Sequence, residues 1–242
     1  MYNFKKIPNI TAIIPAAGLG RRMNSFCPKQ YLKIGNKTIL EHAITVLIEH
    51  PYIQQIIIVI NAEDSWFELL PIVNNIRITT TMGKLKRSES VLAGLQAIQH
   101  TTDWILIHDA VRPCLHRNDV DRLLKIITHR HFSSVGGILV HPVCDTIKYG
   151  IEGKYIISHT IDRKNLWHAL TPQLFPYKLL YHCLLLSLQA GIELTDESSA
   201  LEYCGYHPAL IVGQRDNIKV TYQEDLIIAS VYLKNQYQNE NR

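Results

Sequence analysis

The chain has 242 residues, 47% of them hydrophobic and 19% charged, which suits an ordinary globular protein with one large domain. A formal charge of +4 gives no reason to expect a nucleic-acid partner, and the longest apolar runs are core-sized rather than membrane-spanning. No signal-like h-region opens the sequence, and five cysteines without a C-x-x-C pair read as reduced thiols, so a cytoplasmic protein with no membrane association is expected.

In chain order, the β-branched run "ITAIIPAA" predicts a first strand. A helix follows from Thr38, a good N-cap, with Ile39, Leu40, Ala43, Ile44 and Leu47 on one face. "IQQIIIVIN" is continuous enough for a strand covered on both sides, and "IRITTT" reads as a third. Ser88 is the expected cap of the helix "SESVLAGLQAIQ"; "WILIHDA" is the next strand, "NDVDRLLKIITHR" a helix and "SSVGGILV" a strand. This β-α alternation predicts an α/β fold, a mostly parallel sheet with helices on both faces. The rhythm breaks over 141–163, where two extended pieces flank a glycine-bearing turn and suggest a protruding β-hairpin arm. Helical patterns return at "YKLLYHCLLLSLQAG" and "TDESSALEYCG". "PALIVG" reads as a strand, "DNIKVT" as a short β-like run, "YQEDLIIASVYLKNQ" as a last helix, and "YQNENR" as a frayed tail. Residues 1–242 are read as a single domain carrying the arm.

Three loops at strand ends are chemically loaded. In "PAAGLGRRMNSFCPKQ", Ala16, Ala17, Gly18 and Gly20 let backbone N–H groups approach an anion, while Arg21, Arg22 and Lys29 crowd positive charge around it. The third glycine of G-x-G-x-x-G is missing and no G-K-[ST] follows, so neither a dinucleotide fingerprint nor a P-loop is present. A nucleoside triphosphate held by backbone and cations fits better. Cys27 has no evident base beside it and reads as a small loop residue. In "HDAVRP", Asp109 ends an apolar strand, where an acid can face ribose hydroxyls, a substrate or Mg²⁺, or equally cap a turn beside a surface Arg112. The third loop, "DNIKVT", carries Lys219. The twelve histidines show no metal-ligand spacing, so no protein-held metal is expected, and no H-x-G-H stretch occurs.

Together "PAAGLGRRM", "PKQYLKIGNKTILEH", "RSESVLAGL", "HDAVRPCL", "TIDRKNLWHALTPQLF", "TDESSALEYCG" and "DNIKVT" resemble, in order and over nearly the whole chain, the 2-C-methyl-D-erythritol 4-phosphate cytidylyltransferase family. The resemblance implies a Rossmann-like nucleotidyltransferase fold and transfer of CMP from CTP to methylerythritol phosphate with release of pyrophosphate. It also implies Mg²⁺ held mainly by the CTP phosphates, and a homodimer built through the arm. By position, Arg22 and Lys29 match the pair that stabilises charge on the α-phosphate. Arg163 and Lys219 match the cations that hold the acceptor phosphate. Ala16, Ala17, Gly18, Gly20, Gly83, Ser90 and Asp109 fall on the CTP side, and Arg112, Thr146, Thr171 and Thr195 on the acceptor side. Lys84 departs from the family pattern, standing where a second glycine is usual near the cytosine edge.

Three other readings differ in what they ask of the site. A cytidylyltransferase for another polyol phosphate, such as ribitol phosphate, would keep the cations; the loops "TPQLF" and "TDESSALEYCG" favour methylerythritol phosphate. A noncatalytic nucleotide-binding dimer would not need Arg22, Lys29, Arg163 and Lys219 together, and the missing glycine disfavours a dehydrogenase.

Overall fold

A computed structural model describes residues 8–18 and 26–240. Strand β1 (Ile10–Pro15) leads to a tight turn at Lys29–Tyr31 and a small hairpin, β2 (Lys33–Ile34) with β3 (Lys37–Thr38), then to helix α1 (Ile39–Glu49). There follow β4 (Ile53–Ile60), β5 (Ile78–Met82), α2 (Arg87–Gln96), β6 (Trp104–Ile107), α3 (Arg117–Leu124) and β7 (Gly137–Pro142). The arm is β8 (Ile147–Gly150) with β9 (Ile157–Ile161). After it come β10 (Trp167–Pro176), α4 (Tyr177–Gln189), α5 (Glu197–Tyr203), β11 (Ala209–Val212) and α6 (Glu224–Glu240).

The main sheet has seven strands in the order β11-β7-β10-β6-β1-β4-β5. All neighbours run parallel except β10, which is antiparallel to both β6 and β7. Strand alternation sorts the apolar runs onto two faces. Ile10, Ala12 and Ile14 of β1, Ile56 and Ile58 of β4, and Leu106 of β6 meet Leu40, Ile44 and Leu47 of α1 and Val120 and Leu123 of α3. Ile13, Ile57, Val59, Ile105 and Ile107 point the other way, against Val91 and Leu95 of α2, Leu180 and Leu184 of α4, and Leu201 of α5. Because both faces are covered, the central strands read as unbroken hydrophobic runs. Thr38 caps α1 as expected: its hydroxyl accepts from Glu41 N–H, and Glu41 reaches back to Thr38 N–H.

Four expectations need correction. Ser88 is not the cap of α2; the helix starts two residues earlier, with Lys86 at the cap and Glu89 accepting from the Lys86 N–H. "TPQLF" is no loop but the inner half of β10, hidden from a pattern reading by Pro172, which cannot donate to a ladder. Pairing with β7 accordingly skips between Ala169 and Gln173. "DNIKVT" is irregular, because its backbone groups bond elsewhere: Asn217 C=O accepts from Arg112 Nη1, Val220 N–H donates to Val111 C=O, and Thr221 N–H donates to Asp225. The tail read as frayed is helical as far as Glu240.

Candidate active site

Parallel sheets gather ligands beyond the carboxyl ends of their strands, and the segments after β1, β5 and β6 converge there. Ala16 N–H bonds Val59 C=O at the end of the strand, and residues 15–18 border a hollow of about 350 Å³. The lining includes Ala16, Ala17, Gly18, Lys29, Lys84, Ser90, Asp109 and Lys219. Gln30 holds the opening loop in place: it is buried, and its Nε2 donates to Ala16 C=O at 2.7 Å and Gly18 C=O at 3.2 Å. Lys29 Nζ donates to Val220 C=O at 3.1 Å, joining this loop to the segment that carries Lys219. Gly20 and Arg22 lie outside the described residues.

Gly83 is not a lining residue but stands behind the wall. A Cβ there would lie 2.4 Å from Ala17 Cβ and 3.0 Å from Ser90 Oγ, so a glycine is required for the two loops to touch. Ser90 Oγ accepts from Lys84 N–H (2.9 Å) and folds residues 84–86 over the start of α2.

A second hollow of about 190 Å³ adjoins the first, lined by Arg112, Ala169, Leu170, Thr171, Gln173, Thr195 and Asp196. Both share a floor of Arg87, Asp109 and Lys219. Asp109 is buried and faces three cations: Arg87 at 3.0 Å, Lys219 at 3.0 Å and Arg112 at 3.5 Å. Burial works to raise its carboxyl, but Arg87, Lys219 and Arg112 outweigh it and hold the group far below the usual carboxylate range. Arg87 also bonds Glu197 at 2.6 Å. Burial pushes the Glu197 carboxyl up, against the pull of Arg87.

Asp109 is aimed by its neighbours. Its N–H donates to Thr171 Oγ1 (3.0 Å), which bonds His108 Nδ1 (2.9 Å), while His108 Nε2 bonds Arg112 C=O (3.2 Å). With the ring neutral every polarity matches: Thr171 O–H donates to Nδ1 and Nε2–H donates to the carbonyl. Burial brings the His108 ring down to about 4, with Asp109 pulling the other way. Asn217 Nδ2 donates to Thr171 C=O (2.8 Å), so the Lys219 segment is clipped to the same group. At the start of α5, Asp196 accepts from Ser199 N–H and Gln173 Nε2, and Gln173 Oε1 accepts from Ser198 N–H.

The expected residues therefore divide. Ala16, Ala17, Gly18, Lys29, Ser90 and Asp109 meet at the larger hollow, Arg112, Thr171 and Thr195 at the smaller, and Lys219 borders both. Thr146 and Arg163 line neither; they sit at the base of the exposed arm, where Arg163 Nη1 donates to Cys144 C=O. Burial raises the Cys27 thiol, as suits a packed loop residue rather than a nucleophile. Sequence reasoning missed Gln30, Arg87, His108, Gln173, Glu197 and Asn217. Arg87 and Glu197 look like first-turn surface charges, and only their mutual contact across 110 positions sets them apart.

A family model described as 2-C-methyl-D-erythritol 4-phosphate cytidylyltransferase matches residues 10–235. A protein of that name from Salmonella typhimurium is 55% identical over 225 residues, covering 93% of this chain and 94% of that one. The solved Francisella tularensis enzyme of the same name superposes with a TM-score of 0.80 at 32% identity, over 93% and 99% of the two chains. A 4-diphosphocytidyl-2C-methyl-D-erythritol synthase superposes with a TM-score of 0.77 at 35% identity, over 93% and 98%.

Proposed function

The chain belongs to the 2-C-methyl-D-erythritol 4-phosphate cytidylyltransferase family and transfers CMP from CTP to that phosphate in the non-mevalonate pathway; from this premise we infer that transfer occurs where the two hollows meet. The observation that carries this reading is their common floor of Arg87, Asp109 and Lys219. The larger hollow takes CTP against Ala16, Ala17, Gly18 and Ser90. The smaller takes methylerythritol phosphate against Arg112, Thr171 and Thr195.

A phosphate monoester is mostly dianionic at neutral pH and is already a nucleophile. One of its oxygens attacks the α-phosphorus of CTP, the bond to the bridging oxygen breaks, and pyrophosphate departs with that electron pair. Together the reactants bring about six negative charges, so position and charge are what the protein must supply. Lys29 and Lys219 stand at the larger hollow and Arg112 at the smaller; Arg22 is the further cation of the opening loop. Lys219 and Arg112 now face Asp109, and arriving phosphates would compete for them.

Magnesium is proposed as a companion of the triphosphate. Among the described residues no three His, Cys, Asp or Glu side chains converge as a metal site, and the carboxylate common to both hollows already faces three cations. The described residues thus suit an ion carried by the phosphates, whose charge it would offset. A homodimer is proposed in which the arm brings Thr146 and Arg163 to the partner's acceptor site. Supporting it, Tyr149, Ile151, Tyr155, Ile156 and Ile157 leave much apolar surface exposed on the arm. A cytoplasmic location is proposed from the reduced cysteines; among the described residues no helix is long and apolar enough to cross a membrane.

Steady-state pyrophosphate release tests the site assignment. Ser90→Ala should raise KM for CTP, and Thr195→Val should raise KM for methylerythritol phosphate, each by several-fold and without the reciprocal effect. Crossed effects would overturn the division into donor and acceptor hollows, and equal turnover of ribitol phosphate would show that the acceptor hollow does not select its polyol.

A further inference from the structure

Glu197 has no part in the reaction as described, yet it is 1% exposed and pairs with a guanidinium. Its Oε1 accepts from Arg87 Nη1 at 2.6 Å, and its Oε2 is buried without a partner. The other edge of the same guanidinium, Nε and Nη2, donates to Asp109 Oδ1 at 3.1 and 3.0 Å. Arg87 is thus clamped between two carboxylates on the floor shared by both hollows, with its side chain 31% exposed. Arg112 and Lys219 also pair with Asp109, but among the described residues only Arg87 of the three has a second carboxylate. When anionic substrates draw on Arg112 and Lys219, Arg87 is the cation that has a reason to stay.

We propose that Glu197 is a positioning residue: through Arg87 it fixes the Asp109 carboxylate between the two substrates and keeps one guanidinium from collapsing onto their phosphates. The proposal rests on the reading of the hollows as donor and acceptor sites. It predicts an unusual pair of effects for Glu197→Gln, which preserves shape and removes charge. The cleft gains a unit of positive potential, so CTP binds about 3- to 10-fold more tightly. Asp109 loses its fixed partner, so kcat falls by about tenfold or more. A merely structural role would weaken binding and turnover together.

The test is calorimetric titration of CTP without Mg²⁺, at two ionic strengths, beside pyrophosphate release with CTP and methylerythritol phosphate. Tighter binding that fades with salt, joined to a lower kcat, is the expected result for Glu197→Gln. Adding Arg87→Met should cancel the gain in affinity. Glu197→Asp, which draws the charge back by one methylene, should shift both quantities the same way but less, and it carries the test alone if the glutamine variant does not fold. Nucleotide binding that is unchanged or weaker, or kcat left intact, would overturn the role of Glu197. A wild-type protein releasing no pyrophosphate would instead overturn the reading of the two hollows.

Discussion

His108 is held neutral chiefly by its complete burial, and this makes folding sensitive to acid. A second ring proton would place a full charge where no water reaches, and the attraction of Asp109 only partly offsets that cost. The ring therefore titrates near 4 in the folded chain, whereas an unfolded histidine titrates near 6.5. Because the folded value is the lower one, the contribution is complete above pH 6.5 and is lost as pH falls toward 4. That loss amounts to ~3 kcal/mol over the window. Urea midpoints measured across it should fall more steeply for wild type than for His108→Gln; parallel curves would refute the assignment. A second residue-scale expectation concerns Lys84, whose exposed side chain lines the donor hollow. If its stem narrows the base pocket, Lys84→Gly should raise the ratio of kcat/KM for CTP over UTP; an unchanged ratio would place it in solvent. The cations Lys29 and Arg112 stood out in the sequence because each adjoins a proline in a loop after a strand, whereas Lys219, between Ile218 and Val220, was singled out only by the family resemblance. Arg87 and Glu197 were not, because a charge in a helix's first turn is ordinarily solvated and nothing local distinguishes the buried case.

At the scale of elements, legibility followed burial pattern. Strands β1, β4 and β6 are covered on both faces, and their unbroken Ile- and Leu-rich runs announce it; α1 adds a capping box at Thr38. Strand β10 breaks the rule, since Pro172 interrupts the ladder that defines it and a strand reversed within a parallel sheet leaves no periodic signature. The segment 216–221 failed differently: its β-like residues spend their backbone bonds on Arg112, Val111 and Asp225. Contact between loops is equally invisible in sequence, and Gly83 is where it can be tested. An alanine there must displace Ala17 or Ser90, since a Cβ would lie 2.4 Å from Ala17 Cβ. Overpacking of this kind typically costs about 1–3 kcal/mol. Because the displaced residues line the hollow, KM for CTP should rise as the urea midpoint falls. A Gly83→Ala protein with both unchanged would show that the loops are not held in contact.

At the scale of the whole molecule, the open question is what covers the arm. A two-stranded hairpin gains little stability alone in water, yet β8 and β9 form a separate sheet with Tyr155 and Ile157 exposed. An isologous dimer would bury such a surface once on each subunit. It would also complete the chemistry, because Arg163 lines neither hollow of its own chain as described. Two variants separate the possibilities. Lys29→Ala removes a cation from the larger hollow, and Arg163→Ala removes one from the arm. If arms are exchanged, a mixed dimer gathers both lesions in one site and leaves the other with its full set of cations. Random re-association of equal amounts then makes roughly a quarter of all sites intact, and pyrophosphate release should recover to about that fraction from two nearly inactive parents. Mass analysis of intact assemblies would establish that mixed dimers had formed. With mixed dimers present and no activity regained, Arg163 would have to serve the site of its own chain, and the arm would need some other explanation for its apolar surface.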